Sequence, residues 1–458
     1  MHRPLFFAFS GKRLAYFSKE VYYVICIIDE SRMKEGRVKI DFLPIVLGSD
    51  VNAYSVARTI YENYGLISHI FAHQLFAQTA DSRILVRHSL PFDKDHRGFV
   101  QGLLDFAKDH AGEKMIIFPC SDEYSEMLAI HREKLEGSFL FNVPSREQNR
   151  LLEDKMSFYR VCEEHGIPYP KAISIHDPKE LDYSKLRYPI VAKAADSIRY
   201  YQTSFPGKKK AYILQSEKEL REALSAIYGA GYQGSMIIQD YIPGDASYCV
   251  SMNVYSDHTG KVRMCCAGQI LLTSVLPLMI GNYDAMYTHG DQALYDRFEA
   301  FMNDLHYTGF GNFDLKYDPR DREYKCFEMN LRLPASNFFM QAGGLNCLDF
   351  LVRDMLGIPF EEDCYYHHKT GRLFLNNIDP LVLKKYVHPN KLPLVKELLK
   401  RKPLYPIWYE KDKNAKRRWR YWRMRLASFK HYHTYGEHVS KDDPEAPPYG
   451  LTPLQEDR

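Results

Sequence analysis

A chain of 458 residues is too long for one core and points to two or three domains, with 45% hydrophobic content to build them. No apolar run approaches the roughly 20 residues of a helical membrane span, so the chain is expected in the cytoplasm. The net charge of +3 hides an asymmetry: between Lys411 and Lys430 nine Lys and Arg stand against Asp412 alone, which leaves the rest of the chain negative. Nine cysteines without a C-x-x-C pair make neither a disulfide framework nor a zinc site, and reduced, mostly buried thiols are expected.

Residues 1–38 lack a clean pattern and read as an N-terminal extension, with an internal Met33 ahead of Lys34-Glu35-Gly36-Arg37. Pro4 to Phe9 is too short for a secretory h-region, and Val21 to Ile28 reads as a buried strand. From Asp41 an α/β pattern begins. Phe42 to Leu47 is a strand, Gly48-Ser49-Asp50 a tight turn, and Asn52 to Tyr64 a helix with Ala53, Val56, Ala57 and Ile60 on one face. A second strand, Lys114 to Pro119, ends at Cys120-Ser121-Asp122-Glu123 before another helix. In parallel α/β sheets ligands bind outside the carboxyl ends of the strands, where Ser49, Asp50, Ser121 and Asp122 lie. Capping of the following helices is the alternative role for these side chains.

Asn149 to His165 reads as one helix carrying Lys155, stopped by Gly166 and Pro168. The strand Pro189 to Ala194 places Lys193 among apolar neighbours, a costly position unless its ammonium meets an anion. The loop Ser204-Phe205-Pro206-Gly207-Lys208-Lys209-Lys210 before the strand Ala211 to Leu214 is basic enough to fold over phosphates, a solvated turn being the alternative. After a helix from Glu217 to Tyr228 comes the strand Ser235 to Ile242, where backbone and an aromatic can hold a purine. A hairpin from Tyr248 to Leu272 and a helix from Gln292 to Leu305 follow.

The most informative stretch is Gly311-Asn312-Phe313-Asp314-Leu315-Lys316 with Phe327-Glu328-Met329-Asn330-Leu331-Arg332. Each half alternates as a strand does, and the polar run Asp318 to Glu323 is a turn between them. Asp314, Glu328 and Asn330 then project from one face and give hard Mg²⁺ its oxygen donors, with substrate phosphates completing the shell. Arg332, two residues on, offers a planar fork to a carboxylate or phosphoryl group.

In this order the parts resemble the ATP-grasp superfamily over residues 41 to about 357. The resemblance implies an α/β fold: a pre-ATP-grasp parallel α/β domain (39–148), then two α+β subdomains clasping ATP (149–232 with the lysines, 233–358 with the metal site). A C-terminal region (359–458) with a basic helical tail completes the division. Position by position, the resemblance makes Lys155 and Lys193 contacts of the ATP phosphates, with Lys208 in the loop beside them, and Gln239, Asp240, Tyr241 and Ile242 the adenine hinge. Asp314, Glu328 and Asn330 become ligands of Mg²⁺, or of Mn²⁺ in its place, and Arg332 the residue that orients an acyl-phosphate, Lys193 sharing the catalytic work. The chain departs from the superfamily in having Ala246 where a ribose-binding Glu is common, with Asp245 one place earlier, and in lacking a glycine-rich phosphate loop. Within the superfamily Leu47 to Arg58, the Phe-Pro-Gly-Lys-Lys-Lys loop and Cys120 to Glu123 look most like bacterial carboxylate–amine ligases of the D-aspartate ligase kind. That likeness implies small-molecule carboxylate and amine substrates, peptidoglycan-precursor chemistry, and Ser49, Asp50, Asn52, Ser121 and Asp122 as substrate contacts.

Two other function classes compete with the ligase: a catalytically silent ATP-binding regulatory protein, against which the intact site residues stand, and a nucleic-acid binder suggested only by the basic tail, with no nucleic-acid-binding fold to support it. In that tail Trp419, Trp422, Leu426 and Phe429 recur at i, i+3, i+7 and i+10, one apolar stripe on a helix. Docking of this stripe on the catalytic core is one expectation; peripheral contact with an anionic membrane at its inner face is the other.

Overall fold

The computed structural model describes residues 40–436 except 196, 210, 277, 278 and 280, together with three short strands nearer the N-terminus. Two compact units emerge, Met1–Phe42 and Leu43–Arg458. In the first, β1 (Phe6–Phe9), β2 (Lys12–Ala15) and β3 (Ile28–Asp29) pair antiparallel in that order. Most of the expected strand from Val21 lies outside the described residues.

The second unit begins with β4 (Leu43–Leu47), α1 (Val51–Tyr64), β5 (Ser68–Ala72), β6 (Leu85–Ser89), α2 (Arg97–Asp109), β7 (Met115–Pro119), α3 (Asp122–Ile130) and α4 (Arg132–Leu135). Its strands form a parallel sheet in the order β6-β5-β4-β7. Ile45, Val46, Leu47, Ile116 and Ile117 are fully buried, as continuous apolar strands covered on both faces must be. Asp50 caps α1 by accepting from Ala53 N at 3.1 Å, and Gly65 ends it in the left-handed conformation at φ 73°.

Next come α5 (Arg146–Glu153) and α6 (Lys155–Glu164), which correct the expectation of a single helix from Asn149 to His165. The break is chemical: Asp154 leaves helical backbone at ψ 117° and accepts from Ser157 N at 2.8 Å. Lys155 is thereby the first residue of a new helix. The segment continues through β8 (Ala172–Ile175), β9 (Ile190–Ala194), α7 (Ser197–Gln202), β10 (Ala211–Leu214), α8 (Glu217–Gly229) and β11 (Met236–Asp240). These strands form an antiparallel sheet, β10-β9-β11-β8, on which α8 buries Leu220, Leu224 and Ile227.

The largest sheet is built from β12 (Cys249–Ser256), β13 (Val262–Thr273), β14 (Tyr283–Thr288), β15 (Gly309–Asp318) and β16 (Glu323–Asn330), with α9 (Gln292–Asp304) between β14 and β15. After α10 (Phe338–Ala342) and α11 (Leu348–Leu356), β17 (Tyr365–His367) pairs parallel with β13 and β18 (Phe374–Leu375) pairs with β14, giving the order β16-β15-β12-β13-β14-β18. Phe298, Phe301 and Met302 of α9 are buried with Phe313, Val250 and Met329 of the sheet. Each such side chain contributes about 1.5–3 kcal/mol, so α9 fixes the back of β15 while its other face stays polar. All eight cysteines among the described residues are free thiols, buried or half-buried.

The chain closes with α12 (Pro380–Tyr386), α13 (Leu392–Leu398) and α14 (Ala415–Tyr435). The expectation that the last helix docks its aromatic stripe is overturned. Trp419 is 70%, Trp422 45%, Leu426 64% and Phe429 41% exposed, whereas Arg417, Tyr421, Ser428 and Tyr432 form the buried face. Polar anchors decide this. Asp412, fully buried, accepts from Tyr54 Oη (2.8 Å), Ser82 Oγ (2.7 Å) and Arg83 N (2.6 Å) and lies 3.4 Å from Arg417 Nε. Arg420 pairs with Asp81 at 2.9 Å and Arg425 with Asp379 at 2.7 Å. Among the described residues no helix is long and apolar enough to cross a membrane.

At the far end of α14, Tyr432 Oη donates to Asp284 Oδ2 at 3.0 Å. Burial pushes the Asp284 carboxyl up to about 7, against the lowering effect of Tyr432 and Asn376. A carboxyl raised on folding holds its proton where the unfolded chain has lost it, so its contribution is complete below pH ~4 and is lost as pH rises to ~7. Asp284→Asn is therefore expected to stabilise the fold at pH 8, by ~4 kcal/mol at most, and so to raise the melting temperature there, and to change little at pH 4. Thermal denaturation at both pH values checks this.

Candidate active site

The hairpin β15–β16 sets the metal-type donors in register. Asp314 pairs with Glu328 and Asn312 with Asn330, a register shift following at Leu315. Asn330 Nδ2 donates to Asn312 Oδ1 at 3.1 Å and to Asp314 Oδ2 at 3.4 Å, so Asp314, Glu328 and Asn330 share one face as read from the period of two. On the same face a ladder of polar side chains continues across the sheet: Asn312 Nδ2 donates to Ser251 Oγ (2.8 Å) and Asn253 Oδ1 (3.1 Å). These buried amides lock β15 against β12. Tyr283 Oη donates to Asp314 Oδ1 at 2.6 Å.

The two carboxyls are driven apart electrostatically. Burial and the charge of Glu328 push Asp314 up to about 7, although Tyr283, Arg332 and Asn330 pull the other way. Burial also opposes ionisation of Glu328, but the ammonium groups of Lys155 and Lys193 outweigh it and hold this carboxyl at about 2. Lys155 Nζ, at the start of α6, donates to Glu328 Oε2 at 2.6 Å. Two repelling acids and an amide, with a lysine ammonium against one acid, fit a hard divalent cation, which would relieve the repulsion. Among the described residues no group of three or more His, Cys, Asp or Glu stands together as a metal cluster.

Lys193 enters from the other sheet, on β9 opposite Ala211 and Ile237, where its charge acts on Glu328. Both lysines thus converge on one acid from separate elements. Replacing Lys193 with Met, similar in length and apolar, is expected to weaken ATP binding about tenfold or more while leaving the melting temperature near wild type. Equilibrium nucleotide titration beside a melting curve separates the two effects. Lys208 is turned into its own loop: its Nζ donates to Thr203 O at 2.5 Å and lies over the Tyr200 ring.

In the hinge segment, Gln239 is buried and its Oε1 accepts from Tyr159 Oη at 3.2 Å, while Asp240 N donates to Lys171 O. Sequence reading missed Lys316. Its Nζ donates to Ile242 O (2.9 Å) and Gly244 O (2.7 Å) and lies 5.5 Å from the Tyr241 ring centroid, so it clamps two backbone carbonyls at the end of the segment expected to be the hinge. Burial lowers the Lys316 pKa. Position 316 falls two residues after Asp314, so the alternation that found Asp314 also pointed to it. Asp245, expected near the ribose, accepts from Ser247 N (3.0 Å) and Ser247 Oγ (2.6 Å) and so caps the short 3-10 turn that follows.

Arg332 joins the hairpin to the parallel sheet. Its Nη2 donates to Asn330 Oδ1 at 3.3 Å and to Asp122 Oδ2 at 3.0 Å, while its buried Nε has no hydrogen-bond partner among the described residues. Asp122 stands in the first turn of α3, just past the carboxyl end of β7, with Ser121 as the N-cap accepting from Tyr124 N at 3.3 Å. Burial raises the Asp50 pKa, opposed by the amides of Ala53 and Asn52 and by the charge of Arg332. Asp50, Asp122 and Arg332 therefore meet outside the strand ends. Ser49 and Asn52 are turned into the scaffold: Ser49 Oγ accepts from Phe76 N at 2.9 Å, and Asn52 Nδ2 donates to Cys120 O at 2.8 Å.

No protein-family model matches the chain. Among solved structures it resembles the biotin carboxylase domain of Hydrogenobacter thermophilus 2-oxoglutarate carboxylase (TM-score 0.54, 15% identity, 72% of this chain and 74% of that one). It also resembles PurK, an N5-carboxyaminoimidazole ribonucleotide synthetase (TM-score 0.53, 13% identity, 79% and 88%), and an L-amino acid ligase from Bacillus licheniformis (TM-score 0.50, 14% identity, 71% and 75%). The fold is ATP-grasp. At the sequence level the chain is 36% identical over 409 residues to the D-aspartate ligase of Enterococcus faecium (strain Aus0004), covering 86% of this chain and 95% of that one. It belongs to the D-aspartate ligase family and is a ligase that forms C–N bonds.

Proposed function

We propose that this chain uses ATP and Mg²⁺ to activate D-aspartate and joins the activated carboxyl to a side-chain amine of a peptidoglycan precursor in the cytoplasm. The observation that carries the reading is the junction at Arg332, where one guanidinium touches both Asn330 of the hairpin and Asp122 at the end of the parallel sheet. A phosphoryl donor on the hairpin and an acid outside the strand ends would meet at this cation. The 36% identity to a D-aspartate ligase supports the choice of amino acid.

A carboxylate and an amine do not condense in water, because the carboxylate resists attack and hydroxide leaves poorly. Transfer of the γ-phosphoryl group of ATP to a carboxylate oxygen solves this, with ADP as leaving group. Lys155 and Lys193 neutralise the charge on the phosphates. Asp314, Glu328 and Asn330 would hold Mg²⁺, which when bound supplies further neutralisation of that charge; Mn²⁺ suits the same donors. The amine then attacks the acyl carbon, a C–N bond forms, the C–O bond to phosphate breaks, and Arg332 steadies the oxyanion. Closure of 149–232 over 233–358, the two segments we assign as the clasping subdomains, excludes the water that would hydrolyse the acyl-phosphate.

The test is ADP release from ATP and Mg²⁺ over a panel of D- and L-amino acids, with and without a precursor pentapeptide bearing a free side-chain amine. Release that needs D-aspartate and rises with the pentapeptide is expected. Release indifferent to the amino acid, or specific for another one, would overturn the substrate assignment.

A further inference from the structure

The polar docking of α14 leaves an outward face that the ligase chemistry does not use. Trp419, Trp422, Leu426 and Phe429 cover about 80° of the helix circumference, and all four are exposed, Trp419 and Leu426 most of all. An isolated exposed apolar side chain is ordinary, but four large ones aligned on one helix are a surface. Basic residues border it on both sides. Arg418, Arg423 and Lys430 are exposed and make no ion pair among the described residues, whereas Arg417, Arg420 and Arg425 are spent on anchoring. No acid interrupts the helix anywhere from Ala415 to Tyr435.

We propose that this face of α14 seats the enzyme on an anionic lipid bilayer, the helix lying in the plane of the surface with indole and phenyl groups at the headgroup boundary. Charge complementarity selects this occupant. A second copy would bring its own unpaired arginines against these, and an acid-free helix has nothing to offer them in return. A bilayer of anionic lipids supplies negative charge at the flanks and hydrocarbon beneath the stripe, which is what a helix with this pattern requires. Nucleic acid would satisfy the arginines but leave Leu426 and Phe429 facing phosphates and water.

The full chain is incubated with vesicles of phosphatidylcholine alone and of phosphatidylcholine mixed with phosphatidylglycerol, at low and high ionic strength, and sedimented. Binding to the mixed vesicles alone, weakening as salt rises, is expected. Replacing Arg418, Arg423 and Lys430 together with Gln is expected to lower partitioning by about 10²-fold. The triple change Trp419→Ser, Trp422→Ser and Leu426→Ser should abolish it with charge retained. These six residues are outside the site, so ADP release in solution stays at the wild-type level in both variants and reports an intact fold; the Gln variant also keeps the wild-type melting temperature, whereas the serine variant loses the packing of Trp422 on Tyr421 and Arg425 and melts slightly lower. Equal sedimentation of wild type and either triple variant, or binding indifferent to lipid charge, overturns the proposal. So does a lipid-free dimer that the serine variant converts to monomer, or vesicle binding displaced by duplex DNA.

Discussion

Glu328→Gln is expected to lower Mg²⁺-dependent ADP release by about 10²-fold or more. The substitution keeps the shape of the side chain and an oxygen for Lys155 Nζ, now 2.6 Å from the carboxylate, so the fold and the start of α6 should hold. What disappears is one of the two charges that face a cation. It also removes the charge that helps push Asp314 up, so the remaining acid ionises more easily while the site binds metal less well. Steady-state turnover against Mg²⁺ concentration, beside a melting curve, reads both consequences. Near-wild-type turnover in a folded Gln variant would remove the metal assignment from this hairpin.

Arg332→Lys is the second large effect. The guanidinium reaches Asn330 and Asp122 at once through Nη2, and its buried Nε–H has no hydrogen-bond partner among the described residues. An ammonium preserves the charge but lacks the separate Nη1–H and Nε–H donors that the planar guanidinium holds beside Nη2. Loss of one donor aimed at a developing oxyanion costs about 10²–10³ in kcat. Because the lysines we assign to the nucleotide, Lys155 and Lys193, are untouched, KM for ATP should change little, and this split separates a role at the acyl centre from one in nucleotide binding. A rise in KM for ATP at unchanged kcat would assign Arg332 to the phosphates instead.

The common face of Asp314, Glu328 and Asn330 was legible because it is built on strands. A period of two put Asp314, Glu328 and Asn330 on one face, and the polar run Asp318 to Glu323 gave the turn that pairs them. The partnership of Arg332 with Asp122 was not legible, since it joins residues 210 positions apart through the meeting of two sheets. The Ser251–Asn312–Asn253 ladder was hidden for the same reason: an amide in a strand announces no partner until the neighbouring strands are known. At Asp154 a single capping side chain outweighed a continuous helical pattern, with neither Gly nor Pro to mark the break. The C-terminal helix misled differently. Its apolar stripe looked like a docking face, but the buried face carries Arg417, Tyr421 and Tyr432, and the polar tips of Arg417 and Tyr432 find partners far away in sequence, the carbonyls of Gln78 and Ala80 and the carboxyl of Asp284.

The central claim is that a carboxylate oxygen of the amino acid takes the γ-phosphoryl group of ATP. D-aspartate labelled with heavy oxygen in its carboxylates, incubated with ATP, Mg²⁺ and the acceptor amine, tests this directly through the mass of the released phosphate. One labelled oxygen in each phosphate, matched by one amide formed, is the predicted result. Unlabelled phosphate released alongside amide would contradict the account.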